Sequence, residues 1–502
     1  MAINFTGLQP GQPGESRAQN NAQMAEAVKA LEGVSLRCVE CAALYPAVEP
    51  ARSPRYRCEC GGVLDVEEVF RLPRPEGPPV PPGPGVASAP VSPGGDAVPP
   101  AGSGWRQLFD ERASRPPIWL MGTDEFLFDR SGVWRYRELI LPVPGHYIVS
   151  HPEGNTALYP VGLENCGANA AGHRQIGLYG GLEHLFLKHE GENPTGSFKD
   201  RGMTVGVTMA RLLGARAVAC ASTGNTSASL AAYAAQAGMR GIVFLPAGNV
   251  AQGKLAQTLA YGATTLQISG DFDAAMHLVE QACNELGIYL LNSLNPFRVE
   301  GQKAIGFELL QQLDWQAPDW VVLPAGNLGN TSAIGKAFRQ AHALSLISHV
   351  PRIASIQAAG ANPFYRSFKE GFARREQMQA QTVATAIKIG NPVSYTRARR
   401  VIEECDGVVE EVSDEEILAA KVVIDRSGIG CEPASAATLA GIRKLVGAGV
   451  IKRDERVVGI LTGNLLKDNQ TGMPLHGSTV VEASIDAVRR ALTDESLSSR
   501  NA

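Results

Sequence analysis

From about residue 105 to residue 494, short apolar runs alternate with longer segments in which apolar residues recur at helical spacing. The apolar runs predict buried strands at 217–220, 241–245, 264–268 and 320–323. The segments between them have helical length and end before glycines, as in 226–236 before Gly238 and 251–261 before Gly262. This alternation predicts an α/β fold of mainly parallel sheets covered by helices. Ligands are expected at the carboxyl ends of the strands.

The rest of the chain divides by composition. Four cysteines fall in one short segment, and a stretch rich in proline and glycine follows it. Because such a stretch buries too little apolar surface to offset its ordering entropy, we interpret it as a flexible linker that insulates the cysteine segment. The predicted organisation is a polar start (1–34), a cysteine-rich lobe (35–71), the linker (72–104), a globular region (105–494) and a frayed tail (495–502).

Composition and charge narrow the classes of function. The chain has 46 basic and 50 acidic residues, for a formal net charge of −4, and no block of like charge. We therefore expect neither nucleic-acid nor membrane-surface binding, whereas a few local cations could still hold a small anion. The polar start does not resemble a signal peptide, and no apolar run is long enough to span a membrane. The chain has nine cysteines, an odd number, and five of them are scattered through the main body, which favours reduced thiols and a cytoplasmic location.

Lys199 is the first candidate for chemistry. It follows a loop rich in glycine and proline and precedes a helical run at 203–213. The partial positive charge at a helix start would help to lower the pKa of its amine, and a neutral amine is what Schiff-base chemistry needs. A surface lysine at a loop-to-helix junction is the alternative, and this segment alone does not decide between them.

Three further segments place polar groups where strands end. Residues 221–229 (Ala-Ser-Thr-Gly-Asn-Thr-Ser-Ala-Ser) open a predicted helix, where free backbone N–H groups make an anion site. In Pro324-Ala-Gly-Asn-Leu-Gly-Asn330, glycines let the backbone approach a phosphate. Thr462 stands at the end of the apolar run 457–461. Ordinary helix capping and turn formation remain open for each segment taken separately.

Taken in order, these segments resemble the threonine synthases, a family of fold-type-II pyridoxal-phosphate-dependent enzymes. The resemblance covers roughly residues 145–470 and includes Ser-Phe-Lys-Asp-Arg-Gly, Ser-Thr-Gly-Asn-Thr-Ser, Asn-Pro-Phe-Arg-Val-Glu-Gly-Gln-Lys, Pro-Ala-Gly-Asn-Leu-Gly-Asn and Cys-Glu-Pro-Ala-Ser-Ala-Ala. The turn Glu153-Gly-Asn-Thr156 is similar to the family's Gly-Asn-Thr motif, with Ala157 where proline is common. The resemblance implies two domains, with a smaller inner one at roughly 203–305.

The resemblance also implies roles for single residues. Lys199 would hold pyridoxal 5'-phosphate as a Schiff base and move protons between substrate carbons. The other implied cofactor contacts are Asn225 at the ring hydroxyl, Thr462 at the pyridine nitrogen, and Gly326, Asn327, Leu328, Gly329 and Asn330 at the cofactor phosphate. The implied substrate is O-phospho-L-homoserine, with its phosphate held by Ser222, Thr226, Asn292 and Arg298.

The implied reaction releases phosphate from Cγ, adds water at Cβ and yields L-threonine. Cysteate synthase chemistry (phosphoserine plus sulfite) and threonine dehydration are alternatives on the same fold, although the second phosphate site disfavours dehydration. A non-catalytic interaction protein is the alternative from another class, and the intact Lys199 argues against it. The sequence leaves a homodimer open.

The cysteine-rich lobe offers a candidate metal site. Cys38 and Cys41 are followed by Cys58 and Cys60, in a pattern that resembles the zinc-ribbon-like start of some threonine synthases. Four thiolates can enclose one tetrahedral Zn²⁺. The single-residue spacing of the second pair is less suited to a metal knuckle, so zinc and a small metal-free lobe both remain open.

Overall fold

The computed structural model describes residues 15–49, 54–67, 102–115, 128–247, 252–269, 272–468 and 480–493. Most of the predicted linker, the predicted tail, residues 1–14 and Ala251 lie outside the described residues.

The described strands and helices are numbered here in chain order. The strands are β1 (Ser35–Cys38), β2 (Leu44–Pro46), β3 (Leu64–Glu67), β4 (Leu158–Pro160), β5 (His184–His189), β6 (Ala217–Ala221), β7 (Arg240–Pro246), β8 (Thr264–Ile268), β9 (Tyr289–Leu290), β10 (Trp320–Pro324), β11 (Arg352–Ala358), β12 (Val408–Val412) and β13 (Arg456–Leu461). The helices are α1 (Glu15–Ala30), α2 (Ser103–Ser114), α3 (Arg137–Ile140), α4 (Ala171–Gly180), α5 (Lys199–Leu212), α6 (Asn225–Gln236), α7 (Gln252–Ala260), α8 (Phe272–Leu286), α9 (Pro296–Gln312), α10 (Gly329–Ala343), α11 (Pro363–Lys369), α12 (Tyr395–Glu404), α13 (Asp414–Arg426), α14 (Pro433–Gly447) and α15 (Ile485–Thr493). None of these described helices combines the length and apolarity needed to cross a bilayer.

Two mainly parallel sheets form the body of the molecule, as the strand–helix alternation predicts. The larger has the order β12-β11-β10-β13-β5-β4, with only the edge strand β4 antiparallel to its neighbour. The smaller is parallel throughout, with the order β8-β7-β6-β9. The buried side chains of the central strands pack against covering helices such as α14 on the larger sheet. The predicted α/β class is confirmed.

The predicted strand at 264–268 has the expected bounds but not the expected burial. None of its five residues is buried, and Leu266 is 40% exposed. Because β8 is an edge strand of the smaller sheet, it has a neighbour on one side only. The segment is therefore a strand, as predicted, but the prediction that it is buried is wrong.

Helices α5 and α9 cross in the core at very close range. A Cβ atom added to Gly301 of α9 would lie 2.0 Å from the backbone oxygen of Arg201 in α5. The guanidinium of Arg201 is fully buried and donates to the carboxylates of Glu190 (2.6 Å) and Glu308 (2.8 Å). Lys188 donates to Glu308 as well, at 2.6 Å. These two cations and two carboxylates neutralise one another beneath the start of α5. Each buried charge thus has a hydrogen-bonded partner of opposite sign, as buried charges require.

The cysteine-rich lobe is a three-stranded antiparallel sheet, with the order β2-β1-β3, and it packs directly on the body. Lys336 of α10 donates to the backbone oxygen of Val66 at 2.6 Å, and Arg397 of α12 donates to that of Leu64. The expectation that the linker insulates the lobe is therefore wrong. The composition of the linker carried no information on what the lobe touches.

Candidate active site

Lys199 is the first residue of α5, four residues earlier than the helical run in the sequence suggested. Its ammonium nitrogen lies 4.1 Å from the centre of the Phe198 ring. Burial, together with the nearby positive charge of Arg298, lowers the pKa of Lys199 to about 7, although Glu432 opposes the shift. A substantial fraction of the amine is therefore neutral and nucleophilic near neutral pH.

The loop before Lys199 is bonded to the loop that follows β13. The backbone N–H of Phe198 donates to the carbonyl of Thr462 at 3.0 Å, and that of Asn464 donates to Gly196 at 2.9 Å. Since β13 and β5 are neighbouring parallel strands, their carboxyl ends bring these loops to one edge of the larger sheet. Lys199 and Thr462 are thereby fixed relative to each other.

The glycine-containing segment after β10 forms the turn into α10. Leu328 adopts φ 63°, a left-handed conformation that is uncommon for a bulky residue, and the helix begins at Gly329. The first N–H groups of α10 have no carbonyl partner within the helix, so they form an anion site. A Cβ on Gly326 would lie 3.0 Å from the Cα of Ile387, so this close packing favours glycine.

The side chains of Asn327 and Asn330 in this turn differ in their hydrogen bonds. The Asn327 side chain accepts from the backbone N–H of Val393 at 3.3 Å, and its carbonyl accepts from that of Ser394 at 3.1 Å, so the turn is bonded to the segment before α12. Among the described residues, the Oδ1 of Asn330 and the Oγ of Ser197 are buried without hydrogen-bond partners. Orphaned polar atoms beside a lysine and a helix start fit a ligand with several polar groups, as pyridoxal phosphate is.

Asn225 and Thr462 are brought together by a residue to which the sequence analysis gave no role. The Asn225 amide donates to one carboxylate oxygen of Glu432 at 2.9 Å, and the Thr462 hydroxyl donates to the other at 3.2 Å. Burial raises the pKa of Glu432. The sequence analysis had recognised the segment around Glu432 as a family signature. A carboxylate just before Pro433, at a helix start, was the signal that could have pointed to Glu432.

A second unassigned residue, Lys467, lies across the same loop. Its ammonium donates to the backbone oxygen of Thr195 at 2.8 Å and to the side chain of Gln257 in α7. Its stem would lie 3.2 Å from a Cβ on Gly196. Lys467 thus connects the larger sheet's C-terminal loop with a helix of the smaller sheet.

Arg298 is buried, although a lone arginine at a helix start is usually solvated. Its side chain is 2% exposed, and one Nη donates to the backbone oxygen of Leu291 at 2.9 Å. Its Nε is buried without a partner, and among the described residues no carboxylate pairs with it. Burial lowers the pKa of Arg298 to about 10. A buried cation without a counter-ion near Lys199 fits an anionic ligand.

The other predicted phosphate contacts surround the carboxyl end of β6. Ser222 follows β6, and Thr226 lies in the first turn of α6. Asn292 binds the Ala221 peptide through both ends of its amide, accepting from N–H at 2.9 Å and donating to the oxygen at 3.1 Å. These two hydrogen bonds therefore connect the ends of β9 and β6 next to Ser222.

The four cysteines of the lobe come together despite the spacing of the second pair. All four Sγ atoms lie within 4.8 Å of one another, and Cys38–Cys60 and Cys41–Cys58 are each 3.5 Å apart. A tetrahedral zinc–thiolate site has sulfur atoms about 3.8 Å apart, given Zn–S bonds of about 2.3 Å. The arrangement fits one Zn²⁺.

Known proteins are similar to this chain over the region that contains these candidate site residues. The model of the pyridoxal-phosphate dependent enzyme family matches residues 175–463, more than half of the chain. The threonine synthase of Methanosarcina acetivorans is 53% identical over 363 residues, covering 72% of this chain and 86% of that protein. The threonine synthase of Methanocaldococcus jannaschii is 40% identical over 465 residues, covering 91% and 99%.

Solved structures share the fold. An L-serine ammonia-lyase from Rhizomucor miehei superposes with a TM-score of 0.53 at 18% identity, covering 64% of this chain and 99% of the other. Processed threonine deaminase isoform 2 from Solanum lycopersicum gives 0.52 at 23% identity, covering 62% and 80%. These similarities establish the architecture alone, since the identities are low.

Proposed function

Because the chain belongs to the pyridoxal-phosphate-dependent enzymes and, within them, to the threonine synthases, we propose that it converts O-phospho-L-homoserine and water into L-threonine and phosphate. The observation that carries the proposal is Arg298, a buried guanidinium beside Lys199 with no carboxylate partner among the described residues. A dianionic phosphate ester supplies the missing counter-charge, and guanidinium binds phosphate through paired hydrogen bonds.

Each residue group has a part in this proposal. Lys199 would hold the cofactor, and its pKa of about 7 would let it take and return protons at Cα and Cβ near neutral pH. The N–H groups at the start of α10 would hold the cofactor phosphate, while Asn225 and Thr462 would orient the ring. When bound, pyridoxal phosphate supplies the electron sink for carbanion chemistry.

The substrate phosphate is held by a second set of groups, with Arg298 at its centre and Ser222, Thr226 and Asn292 at the end of β6. Phosphoserine is one methylene shorter than phosphohomoserine, so we expect its phosphate to fall short of Arg298 if its amino group takes the place of the Lys199 amine at the cofactor. This difference is the basis for preferring threonine synthesis over the cysteate reaction.

The test is a substrate comparison on the holoenzyme. Wild-type protein should release phosphate and threonine from O-phosphohomoserine in strong preference to using phosphoserine and sulfite. Arg298→Ala should weaken phosphohomoserine binding by roughly 30-fold or more, since losing a buried charged partner costs about 2–5 kcal/mol. The absorbance of the lysine-bound cofactor should persist in that variant. Arg426→Ala, on the surface of α13, serves as the matched control.

Two results would count against the proposal. Equal or better turnover of phosphoserine with sulfite would move the chain to the cysteate synthase reaction. Unaltered phosphohomoserine affinity in Arg298→Ala would remove Arg298 from the substrate site.

The proposal also includes a cytoplasmic location, which cell fractionation would test. It includes a homodimer as well, which sedimentation would test.

A further inference from the structure

The cysteine lobe reaches the open edge of the smaller sheet through one tyrosine. Among the described strands, β9 pairs with β6 alone, and the outward N–H of Leu290 has no strand partner there. That N–H donates to the phenolic oxygen of Tyr56 at 2.9 Å, across 234 residues of sequence. The Tyr56 ring also meets the Tyr289 ring edge to face, with centroids 5.9 Å apart. Tyr56 therefore holds β9 from the side opposite to β6.

The same short segment carries the support of Arg298. The carbonyl of Leu290 accepts from the Asn295 side chain at 2.8 Å, and the carbonyl of Leu291 accepts from Arg298 at 2.9 Å. Asn295 also caps α9, accepting from the N–H of Phe297. A shift of Leu290 would therefore also displace the start of α9 and the guanidinium of Arg298.

A second contact from the lobe lies beyond Asn292. Val39 and Val63 form one buried apolar cluster with Leu294, which is 2% exposed. The lobe consequently holds the segment at both of its ends, by a hydrogen bond at Leu290 and by apolar packing at Leu294. Asn292, one of the proposed phosphate contacts, lies between these two points.

We propose that Tyr56 is a positioning residue for the substrate-phosphate site, through which the cysteine lobe fixes the segment that carries Asn292 and Arg298. This inference rests on the proposed function in assigning the phosphate to the substrate. Tyr56 bonds to β9 and not to Lys199 or to the turn into α10, so we expect the cofactor site to be affected less than the substrate-phosphate site. The lobe would thereby support one side of the substrate site.

Tyr56→Phe tests the inference with little disturbance, because it keeps the ring and removes only the acceptor of the Leu290 N–H. The KM for O-phosphohomoserine should rise about 3- to 10-fold with kcat nearly unchanged, in keeping with loss of one buried hydrogen bond. The dissociation constant for inorganic phosphate, measured calorimetrically on the holoenzyme, should rise by a similar factor. The lysine-bound cofactor spectrum should stay as in wild type. A general loss of stability would lower kcat and the cofactor content as well.

The matched control is Thr396→Val, which removes another hydrogen bond between lobe and body, an exposed one from the Thr396 hydroxyl to the Glu40 carboxylate at 2.6 Å. It should leave both constants unchanged. Val63→Ala, which weakens the packing on Leu294, should act in the same direction as Tyr56→Phe.

The outcomes separate this inference from the proposed function. If wild type makes no threonine yet Tyr56→Phe binds inorganic phosphate more weakly, the proposed reaction fails and the positioning role stands. Unchanged phosphate affinity in Tyr56→Phe overturns the positioning role even if wild type makes threonine. Absence of phosphate binding by the wild-type holoenzyme also overturns it.

Discussion

At the scale of single residues, the pKa of Lys199 predicts the pH at which cofactor-free protein captures pyridoxal phosphate. Burial and Arg298 lower that pKa to about 7, so the reactive neutral amine forms as pH rises through about 7. An ordinary lysine would require a pH near 10.4. The capture rate, followed by absorbance after rapid mixing, should therefore rise between about pH 6 and 8 and then level off.

Two variants sharpen this measurement. Arg298→Ala removes a positive charge that lowers the pKa of Lys199, so its midpoint should lie at higher pH. Lys199→Ala should show no covalent capture, and borohydride should fix the cofactor to Lys199 in the wild type. A midpoint near pH 10, or a reduced label on another lysine, would contradict the assignment.

Single residues also show most clearly what could not be predicted from the sequence. Lys199 and the segment around Leu328 could be proposed from the sequence because the local order of loop, helix and glycine is itself the signal. Glu432 could not be placed, since its partner Asn225 is 207 residues away. The burial of Arg298 likewise depends on packing that a helix-start position does not reveal.

At the scale of elements, the crossing of α5 and α9 connects the helix that begins with Lys199 to the helix that holds Arg298. Gly301→Ala would put a Cβ 2.0 Å from the backbone oxygen of Arg201, and backbone cannot move aside as a side chain does. We expect a loss of about 1–3 kcal/mol in the free energy of unfolding, seen as a lower thermal midpoint.

Gly447→Ala is the control for this prediction. Gly447 ends α14, and a Cβ there meets no atom within 4 Å, so alanine should leave stability unchanged or raise it by up to about 1 kcal/mol. Equal thermal midpoints for both variants would show that the helices separate readily at their crossing.

Element type was predictable where the pattern is local, but element environment was not. The strand at 264–268 was found with the right bounds because its short sequence, Thr-Thr-Leu-Gln-Ile, is rich in β-branched residues and follows the glycine at 262. Its exposure follows from the order β8-β7-β6-β9, which depends on how distant segments pair. Register and edge position are properties of the sheet and not of any one strand.

At the scale of the whole molecule, the cysteine lobe leads to a prediction about metal content. Purified protein should contain about one zinc per chain, because four thiolates complete one closed site. Changing Cys38 and Cys41 to serine should abolish it, whereas Cys166→Ser, outside the cluster, should not. Metal-free protein with all four lobe thiols freely reactive would contradict the zinc site.

Removing the lobe should not leave an intact body, contrary to what the composition of the linker suggested. Lys336, which donates to Val66 of the lobe, also pairs with the buried carboxylate of Glu300. Cutting the lobe away opens this pair and the Leu294 cluster to water. The sequence could identify the lobe and its cysteines, but not the surface that receives it.

The docking of the lobe also has a consequence for biosynthesis. Its last strand is complete at Glu67, whereas α12, which receives it, lies more than 300 residues later. At translation speeds of about 5–20 residues per second, the lobe leaves the ribosome tens of seconds before its partner surface exists. During that interval the four thiols of the lobe lack the body against which the lobe later packs. The nascent chain therefore meets its metal supply, or its oxidants, before the catalytic body is made.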